Sequence, residues 1–163
     1  MASVHDNNEN NFIMNTLHRN LIDNAFLGMS KDNDDQFYWT DGTVLDYDSW
    51  GPGGCTQKCP IIHDFQYLFF AEPNNYLGFE SCCTMFSGTG RWNDAYCSQP
   101  ANGYVCKRPA NPGQFTTAKP TQMPEGHCAE GYFEYRGYCY KLSDFSGDVS
   151  LHRNWTEARE ECK

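Results

Sequence analysis

The sequence predicts a small α+β fold that is rich in turns and held by disulfide bonds. Its 163 residues suffice for one ordinary domain or for parts of two small ones. Nine cysteines accompany 14 glycines and 8 prolines, a combination typical of disulfide-bonded proteins in an oxidising compartment, so we expect an extracellular protein. Phe, Trp and Tyr make up 15% of the chain. The core therefore depends on aromatic side chains, which argues against a helix bundle.

The charge and the hydropathy of the chain exclude two classes of partner. The net charge is -9 and no cluster of Lys or Arg interrupts it, so binding of a nucleic-acid backbone is not expected. The longest apolar run, residues 67–71, is far shorter than the roughly 20 residues of a membrane-spanning helix. The first residues lack the cationic start and apolar stretch of a signal peptide. We therefore expect a fragment of a secreted protein or of a membrane-tethered receptor.

The first part of the chain contains one helical and two strand-like segments. Residues 6–11 are rich in Asp and Asn, which cap helices, and an apolar series follows at roughly helical spacing. That series comprises Phe12, Ile13, Thr16 and Leu17. Residues 25–28 and 36–39 predict strands, and a turn at 40–43 with a continuation from Val44 completes the predicted hairpins.

Residues 51–81 show no periodicity, and loops of this length are usually functional or disordered. We therefore expect the functional residues there. Three short strands are predicted after the loop, at residues 82–86, 90–94 and 103–107.

Residues 110–124 predict a linker, because Pro, Thr, Gln and Gly replace most large apolar residues. An aromatic strand at 132–140 and a helical segment at 154–162 follow it. Asn154 lies in a glycosylation sequon, but we favour its role as the cap of that helix.

Short motifs occur along the chain in a consistent order. They comprise Ala2–His5 with Glu9-Asn10, Phe26–Met29, Gln36–Gly42, Glu72-Pro73-Asn74, Glu80, Cys82, Trp92-Asn93-Asp94, Cys97 and Cys106. An incomplete second set comprises Trp155, Glu157, Ala158 and Cys162. Together the motifs resemble the C-type lectin-like domain, in the tandem arrangement of the macrophage mannose receptor group. The resemblance implies an α+β fold with two short helices, small antiparallel sheets and a long calcium-binding loop.

The resemblance also implies how the chain is divided. Residues 1–109 correspond to such a domain without its first strand and helix, and residues 125–163 to the N-terminal part of a second one. The missing pieces are complementary. Because the chain ends of this family meet on adjacent antiparallel strands, residues 125–163 could instead complete the first domain in circularly permuted order. Residues 138–142 would then lie beside residues 104–107.

The cysteine pairs follow from the same resemblance. The implied pairs are Cys82–Cys97, Cys128–Cys139 and, in the permuted domain, Cys106–Cys162. No pairing is predicted for Cys55, Cys59 and Cys83.

Oxygen-bearing side chains around the long loop predict a calcium site, because calcium takes six to eight oxygen ligands. These side chains are Glu72, Asn74, Glu80, Asn93 and Asp94. The resemblance implies that they hold Ca²⁺ together with the Asp94 carbonyl, and that two vicinal hydroxyls of a sugar complete the shell. The Glu-Pro-Asn triplet further implies a cis peptide before the proline and a preference for mannose-type glycans.

The sequence also allows other interpretations. Members of the same fold that have lost sugar binding recognise proteins through the loop surface. Sugar-independent protein recognition is therefore the alternative prediction. No serine-hydrolase or zinc-protease motif is present, so reversible binding without turnover is expected. The spacing of Cys55, Cys59 and His63 resembles half a zinc site without an evident fourth ligand.

A second calcium site, seen in some relatives, is left unassigned. Asp35 and Asn75 could contribute to it. However, Lys31 and Ser81 stand where acidic residues would be expected.

Residues 54–71 have no counterpart in the family pattern, and they carry apolar residues that an exposed insert would hardly contain. We hypothesise a retained intron, because removal of these codons restores a continuous Gly51-Pro52-Gly53-Glu72 run in frame.

Overall fold

The computed structural model describes residues 1–51, 71–110, 128–143 and 152–163. Within these ranges the helices are α1 (Asn7–Arg19) and α2 (Trp155–Glu161), and a short 3-10 turn spans Tyr76–Gly78. The strands are β1 (Asn24–Lys31), β2 (Phe37–Trp39), β3 (Cys82–Phe86), β4 (Trp92–Ala95), β5 (Gly103–Pro109), β6 (Phe133–Tyr135) and β7 (Tyr138–Leu142). The hypothesised insert apart from Ala71, most of the predicted linker, and the residues Cys55, Cys59 and His63 lie outside the described residues.

Both helices begin at a side-chain cap, as their sequences predict. The Asp6 carboxylate accepts the backbone N–H of Glu9 at 2.8 Å at the start of α1. At the start of α2, the side chains of Asn154 and Glu157 each accept the other's backbone N–H, which forms a capping box. In the part of the chain that the structure describes, neither helix is long and apolar enough to cross a membrane.

The strands lie in the order β4-β3-β1-β5-β7-β6, and β2 pairs with β1. Most neighbours are antiparallel, but β1 and β5 run parallel, with Ala25 opposite Gly103. The α+β fold is therefore as predicted, whereas the sheet is mixed rather than a set of small antiparallel sheets. A parallel pair needs a long connection, and residues 32–102 separate these two strands in the chain.

Two strand predictions differ from the structure. The aromatic stretch 132–140 is a hairpin rather than one strand, because Arg136 and Gly137 have φ values of 48° and 78°. These left-handed values are those that a tight hairpin turn requires. The described residues after Val44 form no strand beside β2, which pairs instead with β1, Met29 lying opposite Trp39.

The C-terminal elements pack on the first part of the chain. Strand β7 runs antiparallel to β5, with Val105 opposite Leu142 and Pro109 opposite Tyr138. The indole N–H of Trp155 in α2 donates to a β1 carbonyl, that of Leu27, at 3.0 Å. The predicted contact between residues 138–142 and 104–107 is thereby confirmed.

The three implied disulfide bonds are present. They join Cys82 to Cys97, Cys106 to Cys162 and Cys128 to Cys139. The second of these connects β5 to the end of α2. Cys83 is a buried free thiol.

Aromatic side chains occupy the centre of the core, as the composition predicts. Trp92 is fully buried and meets Trp39 and Trp50 edge to face, with ring centroids 5.6 and 5.7 Å apart. Its indole N–H donates to the side-chain oxygen of Asn10 at 2.8 Å. This bond ties β4 to α1 and holds the strand that carries two of the predicted site residues.

A buried ion pair joins α1 to the pair of strands β5 and β7. The Lys107 ammonium lies 2.6 Å from the Glu9 carboxylate, and both side chains are almost fully buried. The Tyr140 hydroxyl donates to the same carboxylate. Each charged group therefore has a partner of opposite charge, which offsets the cost of burial.

Candidate functional site

The predicted site residues come from two segments that the fold brings together. Glu72, Asn74 and Glu80 lie in the loop before β3, and Asn93 and Asp94 lie in β4. The Glu72–Pro73 peptide is cis, as the resemblance implied. The loop approaches the backbone of Gly51 closely, because a Cβ atom on that glycine would lie 2.9 Å from Cγ of Glu72.

Asp94 is the buried anchor of the site. Its side chain is fully buried, with an exposed fraction of 0%. Its Oδ1 accepts the backbone N–H of Asn74 at 2.9 Å, and its Oδ2 accepts that of Asn75 at 2.8 Å. The carboxylate therefore fastens the loop to β4.

Glu72 and Asn74 form the outer part of the site. The Asn74 amide donates to Oε1 of Glu72 at 2.9 Å. Burial raises the pKa of Glu72 to about 7, with further contributions from a hydrogen bond to Asp94 and from the negative charge of Asp94. The carboxyl groups of Glu72 and Asp94 thus lie close enough to repel each other when both are ionised.

Glu80 closes the turn between the loop and β3. Its carboxylate accepts the backbone N–H of Tyr76 at 2.8 Å, and its own N–H donates to the side-chain oxygen of Asn75 at 3.2 Å. Burial raises the pKa of Glu80, and the charge of Asp94 adds to the effect. Glu80 therefore belongs to the same electrostatic cluster.

Asn93 is the member least connected to the others through its side chain. Its amide donates to the backbone carbonyl of Asp94. That carbonyl is the main-chain oxygen implied as a calcium ligand. Two of the predicted calcium ligands, the Asn93 side chain and the Asp94 carbonyl, therefore contact each other.

The donor set fits a calcium ion in its chemistry. Within residues 1–51, 71–110, 128–143 and 152–163, no group of three or more His, Cys, Asp or Glu side chains forms a metal centre. The five predicted residues supply three carboxylates and two amides, and calcium prefers carboxylate and carbonyl oxygens. Amide and backbone N–H groups occupy several of those oxygens in this structure. A bound cation would relieve the repulsion between the carboxylates.

Lys31 is the site residue that the sequence did not assign. Its ammonium lies 3.6 Å from Oδ2 of Asp94 and 3.3 Å from Oδ1 of Asp35, and its side chain is only 7% exposed. The sequence marked Lys31 as unsuited to a second calcium site. It carried no signal that the lysine would be buried against Asp94, because that contact depends on how β1 lies relative to β4.

Exposed apolar side chains and an open cavity flank the site. Tyr76, Leu77 and Phe79 are 56%, 68% and 69% exposed. The cavity has a volume of about 330 Å³ and is lined by Pro73 together with aromatic residues that include Phe37 and Trp50. The loop therefore presents both polar and apolar groups to a partner.

Comparison with known proteins decides the family. The model of the Lectin C-type domain matches residues 1–108. The chain belongs to the C-type lectin family. This C-type lectin is 29% identical over 109 residues to the low affinity immunoglobulin epsilon Fc receptor of Mus musculus, covering 66% of the chain and 26% of the receptor. It is 25% identical over 170 residues to C-type mannose receptor 2 of Mus musculus, covering 100% of the chain and 10% of that protein.

The chain is also similar to a solved structure. C-type lectin CEL-I from Cucumaria echinata matches this C-type lectin with a TM-score of 0.45 and 22% identity, over 59% of each chain. The chain spans about a quarter or less of the length of the curated relatives named above.

Proposed function

We propose that this chain is a calcium-dependent carbohydrate-binding domain for mannose-type glycans and glycoproteins. The site comprises Glu72, Asn74, Glu80, Asn93 and Asp94. The observation that carries the proposal is the hydrogen-bonded cluster of Glu72, Asn74 and Asp94, in which two carboxylates are held together. Holding like charges close is unfavourable without a cation, so the cluster suits a site for a divalent ion.

The side chains of the site bind and orient the glycan. A calcium ion held by these side chains would offer open coordination positions to neighbouring sugar hydroxyls. The carboxylates of Glu72 and Glu80 accept hydrogen bonds from those hydroxyls, and the amides of Asn74 and Asn93 donate to their oxygens. Asp94 holds the loop from below through the N–H groups of residues 74 and 75. No bond of the glycan is broken, so binding is reversible.

Retention on mannose-agarose tests this function. We expect the protein to bind in calcium and to elute with EGTA or free mannose. Glu72→Gln keeps the shape of the side chain but removes its charge, and should abolish retention. Glu134→Gln, at an exposed position of β6, is the matched control and should bind normally. If the folded protein does not bind mannose-agarose in the presence of calcium, the proposal is overturned.

Sugar-independent protein recognition is the second candidate, and one observation favours it. Asp94 already accepts two backbone N–H groups and pairs with Lys31, so residues 74 and 75 are held against β4 without a metal ion. One relative is named as a receptor for an immunoglobulin Fc region. Retention on a column of deglycosylated immunoglobulin, unchanged by EGTA, would favour this candidate over the first.

We also propose that the described parts of the chain form a single domain in permuted order, outside the cell. The segment 125–163 would then supply the strands and first helix that residues 1–109 lack. The pairing of β5 with β7 and the Cys106–Cys162 bond support this organisation. The three disulfide bonds support an oxidising, extracellular location, either secreted or on a receptor ectodomain.

A further inference from the structure

Lys31 is a buried cation at the edge of the candidate site. It is the last residue of β1, and its side chain is 7% exposed. Its ammonium lies 3.6 Å from Oδ2 of Asp94 and 3.3 Å from Oδ1 of Asp35. The same ammonium lies 4.8 Å from the ring centroid of Phe37, a favourable cation–π position. Two groups that follow β1 closely in the chain, Asp35 and Phe37, and one distant group, Asp94 of β4, therefore hold the lysine in place.

The position of Lys31 decides the charge balance of the site. Asp94 is fully buried, and an isolated buried carboxylate is strongly unfavourable. Glu72 and Glu80 lie close enough to Asp94 for its negative charge to raise the pKa of each. Lys31 is thus a fixed positive charge beside Asp94, whose own negative charge acts on Glu72 and Glu80.

We propose that Lys31 is an internal counter-ion that holds Asp94 in place against the N–H groups of residues 74 and 75 in the absence of calcium, and that it limits the stabilisation that calcium binding can provide. It acts through Asp94 and is a positioning residue. The inference rests on the proposed function, because it requires that calcium binds to the same carboxylates.

The direction of the expected effect follows from two contributions of the same sign. Without calcium, Lys31 stabilises the protein by pairing with Asp94. With calcium bound, the ammonium repels the added cation. Removing Lys31 therefore destabilises the calcium-free protein and strengthens calcium binding. The stabilisation that calcium provides should increase on both counts.

Thermal unfolding with and without calcium tests this. We compare the unaltered protein with Lys31→Met, with Lys31→Arg, which keeps the charge, and with Lys141→Met, which removes an exposed lysine of β7. We expect Lys31→Met to bind calcium about tenfold more tightly. Its calcium-induced gain in melting temperature should exceed that of the unaltered protein by about 4 °C. Lys31→Arg and Lys141→Met should resemble the unaltered protein.

Amide hydrogen exchange in EDTA gives a readout independent of calcium. The N–H groups of Asn74 and Asn75 donate to Asp94, so loosening of that carboxylate exposes them. We expect exchange about tenfold faster in Lys31→Met than in Lys141→Met. A purely structural lysine would instead lower the melting temperature equally with and without calcium.

The outcomes separate this inference from the proposed function. If calcium stabilises all four proteins equally, the counter-ion role is overturned and calcium binding stands. If calcium stabilises none of the folded proteins, calcium binding itself is overturned, and the competition with Lys31 falls with it. Unchanged amide exchange at residues 74 and 75 in Lys31→Met overturns the role of Lys31 in holding Asp94 against these N–H groups.

Discussion

The carboxylate of Asp94 in β4 accepts the backbone N–H of Asn74 at 2.9 Å, across a separation of 20 residues in the chain. Its second oxygen accepts the N–H of the next residue, Asn75, at 2.8 Å. One buried side chain thus anchors the described part of the loop, which carries the Glu-Pro-Asn triplet. Stability and the candidate binding site depend on the same group.

Asp94→Asn should therefore impair both. The amide keeps one acceptor oxygen but turns an NH₂ group toward a backbone N–H or toward Lys31. We expect the free energy of unfolding to fall by roughly 2–4 kcal/mol, as for other buried charged pairs that lose one partner. Retention on mannose-agarose should be lost. Urea unfolding and the column assay measure the two effects, with Asp34→Asn at an exposed position as the control. EGTA-sensitive retention of Asp94→Asn would contradict the site.

The Cys106–Cys162 bond should contribute more stability than the Cys128–Cys139 bond. The first closes a sequence separation of 56 residues and the second one of 11. In the chain-entropy description, the longer loop constrains the unfolded chain more strongly, by about 1.4 kcal/mol. Denaturant unfolding of the two double Cys→Ser variants compares them. Peptide mapping without reduction checks the pairs directly, and a Cys162 bonded elsewhere would refute the permuted arrangement.

Asp6 should stabilise the fold at neutral pH but not in acid. The backbone N–H of Glu9 is the main cause that lowers the pKa of Asp6, and Arg136 adds to it. A carboxyl group whose folded pKa is lowered stabilises above its unfolded pKa, and this contribution disappears as the pH falls through the folded pKa. We expect Asp6→Ala to cost about 1 kcal/mol at pH 7.

Unfolding in urea, followed from neutral to strongly acidic pH, measures the effect. The curves for the unaltered protein and Asp6→Ala should converge at low pH. Asp34→Ala, at an exposed position, should differ little from the unaltered protein throughout. A cost of Asp6→Ala that persists in strong acid would rule out the carboxylate as its source.

Tyr140→Phe should destabilise the buried Glu9–Lys107 pair. The variant removes a hydroxyl that donates to Glu9, and we expect a cost of about 1–3 kcal/mol. Burial raises the pKa of Tyr140, and the adjacent Glu9 carboxylate adds to the effect. Because the folded pKa lies above the unfolded one, this stabilisation is present below the ordinary tyrosine pKa and declines at higher pH. Urea unfolding at neutral and alkaline pH checks this, with the exposed Tyr38→Phe as the control. Equal costs for the two variants would contradict the role of Tyr140.

Local features were predicted well because their physical causes are local. Asp6 and Asn154 cap helices through bonds that span three residues. The predicted strand at 82–86 coincides with β3. The stretch 132–140 was predicted wrongly as one strand, because its aromatic pattern continues through the turn at Arg136 and Gly137, where only the backbone angles differ.

The candidate site residues were predicted as a group, but their contacts were not. The resemblance to the family selects Glu72, Asn74 and Asp94, and the chemistry agrees, because hard cations need oxygen donors. That Asp94 is buried beneath the loop, and that Lys31 faces it, depends on how β1, β3 and β4 pair. Such pairing is set by contacts between distant residues, which no short motif encodes.

The amino-acid sequence determined the family and the α+β class, because the order of the motifs can be recognised without knowledge of the packing. The resemblance to that family implied the cysteine pairs, with Cys106–Cys162 conditional on the permuted arrangement. The tertiary structure decided the mixed sheet, the buried Glu9–Lys107 pair and the charge balance around Asp94. These features arise only when segments far apart in the chain exclude water together, since burial is what turns an ordinary lysine or carboxylate into a group that must find a partner.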